Sequence, residues 1–274
     1  MKSGYTIELS KRFDGIFEEN IHINYHGGIG EYTDLCTILE LDILDHRDID
    51  LEYELEQYMQ SAKEHDLDTV MHLPCLEAGT SLDTCKLLWL VVPESYEGFF
   101  EAKELPIEEY KKCVDAASKH GIKYLILHAT APRVSFEKEE FDLFCERLED
   151  LAQYAQSKNT RICVETGGIN EEELKYLIDN YPVDITLDLA HAKIDGIEYE
   201  EFYEKYKDRI PVIHLTQIDQ EWRDSHWEIF REGPVDNAKF LKILSQDVNE
   251  KYIIYECSPR EHQKIKEFVK KYGE

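Results

Sequence analysis

Short apolar runs alternate along the chain with longer stretches of helical period, and six of the runs end in a residue able to ligate a metal. They are Thr69-Val70-Met71-His72, Tyr124-Leu125-Ile126-Leu127-His128, Arg161-Ile162-Cys163-Val164-Glu165, Asp184-Ile185-Thr186-Leu187-Asp188, Pro211-Val212-Ile213-His214 and Tyr252-Ile253-Ile254-Tyr255-Glu256. Each has the length of a buried strand. Between two of them, Phe141, Phe144, Leu148, Leu151, Ala152 and Ala155 recur at three- and four-residue steps among charged residues, as in an amphipathic helix lying on a sheet. Similar periods predict helices over 51–65, 107–119, 171–180, 199–207, 236–246 and 260–272. Asn170 before Glu171-Glu172-Glu173 supplies a helix cap with acidic first-turn residues, and Gly121 after His120 supplies a C-terminal stop.

Strand and helix in alternation predict an α/β fold with parallel strands, and the chain length suits a single (β/α)8 TIM barrel spanning 1–274. In such a barrel the strand C-termini gather at one face, so the six terminal side chains would meet at one mouth. The segment Thr37-Ile38-Leu39-Glu40-Leu41 is expected as strand two. Either Tyr5–Leu9 or Ile21–Tyr25 serves as strand one, the other then being a hairpin arm outside or beneath the barrel. After strand three comes a long insertion, 75–106, with the apolar stretch Leu87–Val92 followed by Tyr96, Phe99 and Phe100. It is read equally as a lid over the mouth or as a flap packed on the outer helices.

Charge narrows the partners. Against 31 basic residues stand 58 acidic ones, giving a formal net charge of −27 spread along the chain. A field of that sign repels polyanions, which disfavours nucleic acid as a partner unless bound cations invert the potential at the mouth. The chain has no apolar run near the roughly 20 residues of a membrane span, and Met1-Lys2-Ser3-Gly4-Tyr5 does not resemble a signal peptide, so a soluble, cytoplasmic protein is expected. The seven cysteines include no CxxC pair and are expected as reduced thiols. Cys163 and Cys257, near strand-end donors, are expected on the other side of their strands as packed core residues.

Imidazole and carboxylate together bind zinc, manganese or iron, and a multinuclear site also needs a bridging carboxylate. Beyond the six strand ends, His191 follows Asp188 by three residues, and Asp224 and His226 follow His214 in the next loop. Nine donors would then converge: His72, His128, Glu165, Asp188, His191, His214, Asp224, His226 and Glu256. Burying five imidazoles and four acids together would be costly without cations to offset them.

These motifs resemble the xylose isomerase-like barrels and, within them, the endonuclease IV family of abasic-site nucleases. The similarity covers about residues 69–259: His72-Leu73-Pro74, the lone His128, Glu165-Thr166-Gly167-Gly168, Asp188-x-x-His191, His214-Leu215, Asp224-x-His226 followed by Glu232-Gly233, and Glu256-x-x-Pro259. The resemblance implies one zinc on His72, His128 and Glu165. It implies a second, bridged by Glu165, on Asp188, His214 and Glu256, and a third on His191, Asp224 and His226. The activity so implied is metal-assisted hydrolysis of a phosphoester. Several features depart from that family: there is no Gly-His-x-Ser opening, strands three and four are separated by a longer insertion, and one residue is added between His226 and Glu232. All touch regions that would grip DNA.

The single-metal sugar isomerases and epimerases of the same superfamily are the alternative. Their resemblance implies one metal on Glu165, Asp188, His214 and Glu256, with the two glutamates moving a proton next to a carbonyl and His191 holding a sugar or polyol. Gln220 stands where their arginine is expected, with Arg223 three residues on. In either case the substrate is a small molecule, a phosphoester or a sugar, and the cofactor is one to three zinc ions per chain, with manganese or iron as substitutes. His22, His26, His46, His65, His120 and His262 lie in charged helices or turns and are expected to face water, and Gly27-Gly28-Ile29-Gly30 reads as a turn. Tyr32, Arg133, Trp222 and Trp227 are candidate pocket walls.

Overall fold

A computed structural model describes residues 2–9, 38–43, 51–64, 66–77, 86–97, 101–219, 224–225, 232–247, 251–255, 264, 267–268 and 271. In chain order the elements begin with β1 (Lys2–Leu9), β2 (Ile38–Ile43), α1 (Leu51–Glu64), β3 (Asp68–His72), β4 (Leu76–Glu77), β5 (Lys86–Trp89), β6 (Glu101–Glu104) and α2 (Ile107–His120). They continue with β7 (Tyr124–His128), α3 (Lys138–Ser157), β8 (Arg161–Glu165), α4 (Glu171–Asn180), β9 (Asp184–Asp188), α5 (Leu189–Ile194) and α6 (Tyr199–Tyr206). The last are β10 (Val212–Leu215), β11 (Gln217–Ile218), β12 (Asp224–Ser225), α7 (Asn237–Ser245) and β13 (Tyr252–Tyr255).

Eight strands close a barrel in the order β1, β13, β10, β9, β8, β7, β3, β2, and every neighbouring pair is parallel. The ambiguity over the first strand is thereby settled, because Lys2–Leu9 lies between β13 and β2. Ile21–Tyr25 lies outside the described residues, as do the glycines at 27–30.

Successive side chains on a strand point to opposite faces, so residues two apart share one. Val70, Ile126, Val212 and Ile254 accordingly form a buried cluster of their own, with Tyr124 and Tyr252 packed against it. The intervening Met71, Leu125, Leu127, Ile162, Val164, Ile185, Leu187, Ile213 and Ile253 join the larger core shared with the helices. Two residues beyond Val70, Ile126 and Val212, the next inward positions are His72, His128 and His214, and Glu165 and Asp188 end the neighbouring strands β8 and β9. Cys163, two places before Glu165, must share its inward face, and it is buried. The expectation that it sat on the opposite side fails on the two-residue period. Burial pushes its thiol pKa well up, so it is an unreactive core cysteine as expected.

Local signals set the element ends. Asn170 accepts from Glu173 N at 3.0 Å while the Glu173 carboxylate accepts from Asn170 N at 3.0 Å, closing a capping box on α4. Gly121 ends α2 at φ 76°, a left-handed conformation that a side chain would strain. His120, expected in solvent, is half-buried.

The insertion builds a small sheet, with β4 antiparallel and β6 parallel to β5. Leu88, Leu90, Val91 and Leu105 are buried in the core shared with α2 and α3, and Trp89 is buried beside them in sequence. From α3, the Arg147 guanidinium donates to the Leu90 carbonyl and pairs with Glu104 at 2.8 Å. Of the two readings, the described part fits the flap packed on outer helices. Among the described residues no helix is long and apolar enough to cross a membrane.

Candidate metal centre

Strands β3, β7, β8 and β9 end on His72, His128, Glu165 and Asp188, and His214 is one residue from the end of β10, which runs on to Leu215. The parallel register pairs His128 with Glu165 across β7 and β8, and Asp188 with His214 across β9 and β10.

Glu165 occupies the centre. Its Oε2 lies 3.1 Å from His72 Nε2 and 3.2 Å from His128 Nε2, and its Oε1 lies 3.0 Å from His214 Nδ1 and 3.6 Å from His191 Nδ1. The side chain is only 1% exposed. Burial by itself would raise the carboxyl pKa, but the charges of His128 and His214 and the hydrogen bonds of His214 and His72 hold it well below the ordinary carboxylate range. Glu165 is therefore an anion whose two oxygens face separate imidazole groups.

Asp188 is fully buried next to it. Its Oδ1 accepts from His191 N at 2.7 Å and from the Thr216 hydroxyl at 2.8 Å, so the residue caps α5 while being held from just beyond β10. Thr216 Oγ1 in turn accepts from Ala190 N at 2.9 Å, and Asp188 N donates to Thr166 Oγ1 at 2.9 Å. The turn of α5 carries His191 back over the site, where Nδ1 meets the Thr166 carbonyl at 3.0 Å.

One ligand atom each from Glu165, Asp188 and His214 lie within 4.8 Å of one another, as do those of His128, Glu165 and His191. Two carboxylates and an imidazole this close and this buried are a donor set that fits a divalent cation. Of the nine donors expected from the sequence, the structure brings together His72, His128, Glu165, Asp188, His191 and His214. His226 and Glu256 lie outside the described residues, and Asp224 is described in its backbone, which pairs with Ile218. Tyr32, Trp222, Trp227, Gln220 and Arg223 also lie outside.

Several supporting residues escaped the sequence reading. Asp195, just past α5, accepts from Gly168 N at 2.5 Å and Arg133 N at 2.7 Å, tying together the loops that follow β7 and β8. Burial raises its pKa against the opposing effect of those two bonds. Arg133, expected as a pocket wall, thus holds the clamp through its backbone, at φ 67°. Gln217 accepts from Val235 N at 3.1 Å and donates to Val235 O at 2.9 Å, holding the segment that leads into α7. Cys75 brings its sulfur within 4.8 Å of nitrogens of His72 and His128. A cysteine three residues past a strand-end histidine was the available signal.

The sequence model of the xylose isomerase-like TIM barrel family matches residues 39–272. The chain belongs to that family. Among curated proteins, this xylose isomerase-like barrel is 29% identical over 154 residues to MJ1188, an uncharacterised protein of Methanocaldococcus jannaschii. The match covers 52% of this chain and 54% of that one, so the chain spans about half the length of the curated relative it matches. Among solved structures, a D-tagatose 3-epimerase-like protein superimposes with TM-score 0.70 and 18% identity over 99% of this chain and 97% of its own. The D-allulose 3-epimerase of Methylomonas sp., in complex with D-allulose, gives 0.60 and 20% over 84% and 76%. The IOLI protein with a bound zinc atom gives 0.63 and 15% over 99% and 96%. At these identities the likeness shows the fold.

Proposed function

We propose that this chain is a metal-dependent isomerase or epimerase of a small sugar or polyol. The observation that carries the reading is the buried triad of Glu165, Asp188 and His214, whose ligand atoms lie within 4.8 Å of one another at the barrel mouth. Support comes from barrels of the same fold that are sugar epimerases, and from the net charge of −27, which opposes a polyanionic substrate. These favour sugar chemistry over the phosphoester hydrolysis that the nuclease resemblance implies.

Glu165, Asp188 and His214 would hold the cation, with Glu256 completing the set. Bound there, a divalent ion such as zinc, manganese or iron supplies electrostatic stabilisation of negative charge on a substrate oxygen. Glu165 and Glu256 would exchange the proton on the carbon next to the carbonyl, one removing it and the other returning it on the opposite face. Glu165 is kept ionised, and so able to accept that proton, by His128, His214 and His72. His191, held by Thr166, would donate to a substrate hydroxyl.

A second reading, hydrolysis of a phosphoester at a cation cluster, is favoured by one observation: the Glu165 oxygens face different imidazole groups, as a bridging carboxylate does. Metal-reconstituted protein incubated with a panel of ketoses in deuterated water separates the two. The proposal expects deuterium at the carbon next to the carbonyl, lost in Glu165→Gln. It fails if no ketose exchanges while bis(p-nitrophenyl) phosphate is hydrolysed with the same metal dependence.

A further inference from the structure

We infer that Cys75 adds a sulfur ligand to the cation position that the nuclease resemblance places on His72, His128 and Glu165, beside the Glu165–Asp188–His214 triad. The inference rests on these side chains and not on the sugar chemistry, so it holds for either reaction.

The sulfur of Cys75 and one nitrogen each of His72 and His128 lie within 4.8 Å of one another. The two imidazoles are close-set, with ring centroids 4.7 Å apart. His72 Nδ1 meets the Leu73 carbonyl at 3.0 Å; as an N–H donor there it leaves Nε2 as the coordinating nitrogen, the usual way a backbone carbonyl fixes the tautomer of a ligand histidine. On the side of the Glu165 carboxylate, His72 Nε2 and His128 Nε2 stand 3.1 and 3.2 Å from Oε2. Zinc–nitrogen bonds of about 2.0 Å imply edges of about 3.3 Å between ligands of a tetrahedron. The imidazole–carboxylate spacings already match that edge, and the sulfur has at most about 1.3 Å to close, within reach of side-chain rotation.

Cys75 is held between the barrel and the insertion. On the barrel side, Leu73 N donates to Ile126 O at 2.8 Å; on the insertion side, Leu88 N donates to Cys75 O at 2.8 Å, just before β4 pairs with β5. The insertion is therefore what fixes the cysteine beside the two histidines. The other described thiols are of a different kind: burial drives Cys113 up to about 12 and Cys145 up to about 11, as in a packed core. Cys75 is half-buried at a donor cluster. Thiolate is a soft ligand, so this position should prefer zinc over manganese or magnesium, in contrast to a carboxylate-rich triad.

Cobalt(II) titration of the metal-free full-length chain tests this, because a thiolate bound to cobalt gives an intense near-ultraviolet charge-transfer band that imidazole and carboxylate do not. The expected result is that the band appears, that Cys75→Ser abolishes it while lowering the cobalt count by one or weakening that equivalent by at least about 10-fold, and that Asp188→Asn retains it. Retention in Asp188→Asn shows the sulfur position independently of the triad, so failure of the proposed function would leave it standing. Absence of the band, or its persistence in Cys75→Ser protein whose circular dichroism matches the parent, overturns the inference.

Discussion

The Thr216 hydroxyl donates to Asp188 Oδ1 at 2.8 Å and accepts from Ala190 N at 2.9 Å, so one side chain from beyond β10 both aims the Asp188 carboxylate and anchors the first turn of α5. Removing such an orienting partner typically weakens metal affinity by about 10- to 100-fold. Thr216→Val keeps the shape and deletes both bonds. Competition with a chromophoric chelator should show a loss of that size, and an affinity equal to the parent's would mean that Asp188 does not coordinate.

Asp195 makes a different prediction, about loop order. Asp195→Ala removes the acceptor of the Gly168 and Arg133 amides and should destabilise the protein by about 2 kcal/mol. Hydrogen exchange at both amides should accelerate together, since one carboxylate serves both.

Gly168 tests the tightness of the same corner. It sits at φ 70°, and an added Cβ would lie 1.8 Å from Thr130 Oγ1 and 2.5 Å from Val134 O. A side chain there is strained in conformation and overlaps backbone, so Gly168→Ala should cost about 3 kcal/mol, read as a fall in the urea midpoint.

The acid limb of stability should report on Glu165. In metal-free protein its folded pKa lies well below the ordinary 4.5, burial opposing the shift and the surrounding imidazoles imposing it. A depressed carboxyl contributes stability that is fully present above the unfolded pKa and is lost as the pH falls through the folded one. Below pH 4.5, therefore, metal-free Glu165→Gln should lose stability less steeply than the parent. Equal slopes in denaturant titrations at stepped pH would show that the imidazoles do not stabilise its anion.

How much of this the sequence disclosed depended on the kind of signal. His72, His128, Glu165 and Asp188 were legible because each closes an apolar run, and a parallel barrel then leaves one place for strand ends to meet. Asn170 and Gly121 were legible because their roles are local in sequence. The first strand was not: Tyr5–Leu9 and Ile21–Tyr25 carry similar patterns, and pairing of β1 with both β13 and β2, contacts distant in sequence, decides between them. Asp195, Thr216 and Gln217 were missed for a related reason. Their roles rest on hydrogen bonds to groups 18 to 62 residues away, which no local spacing announces. Cys163 was misplaced by a slip in the strand period, although its character as a core thiol was read correctly.

The small sheet of β4, β5 and β6 pairs with itself, and none of its described strands is a rung of the barrel. It meets the mouth through Cys75 and the outer layer through Arg147. Such an appendage can be lengthened, trimmed or rewritten by mutation without re-registering the ring that carries Glu165, so the setting of Cys75 is free to drift while the strand-end donors keep theirs.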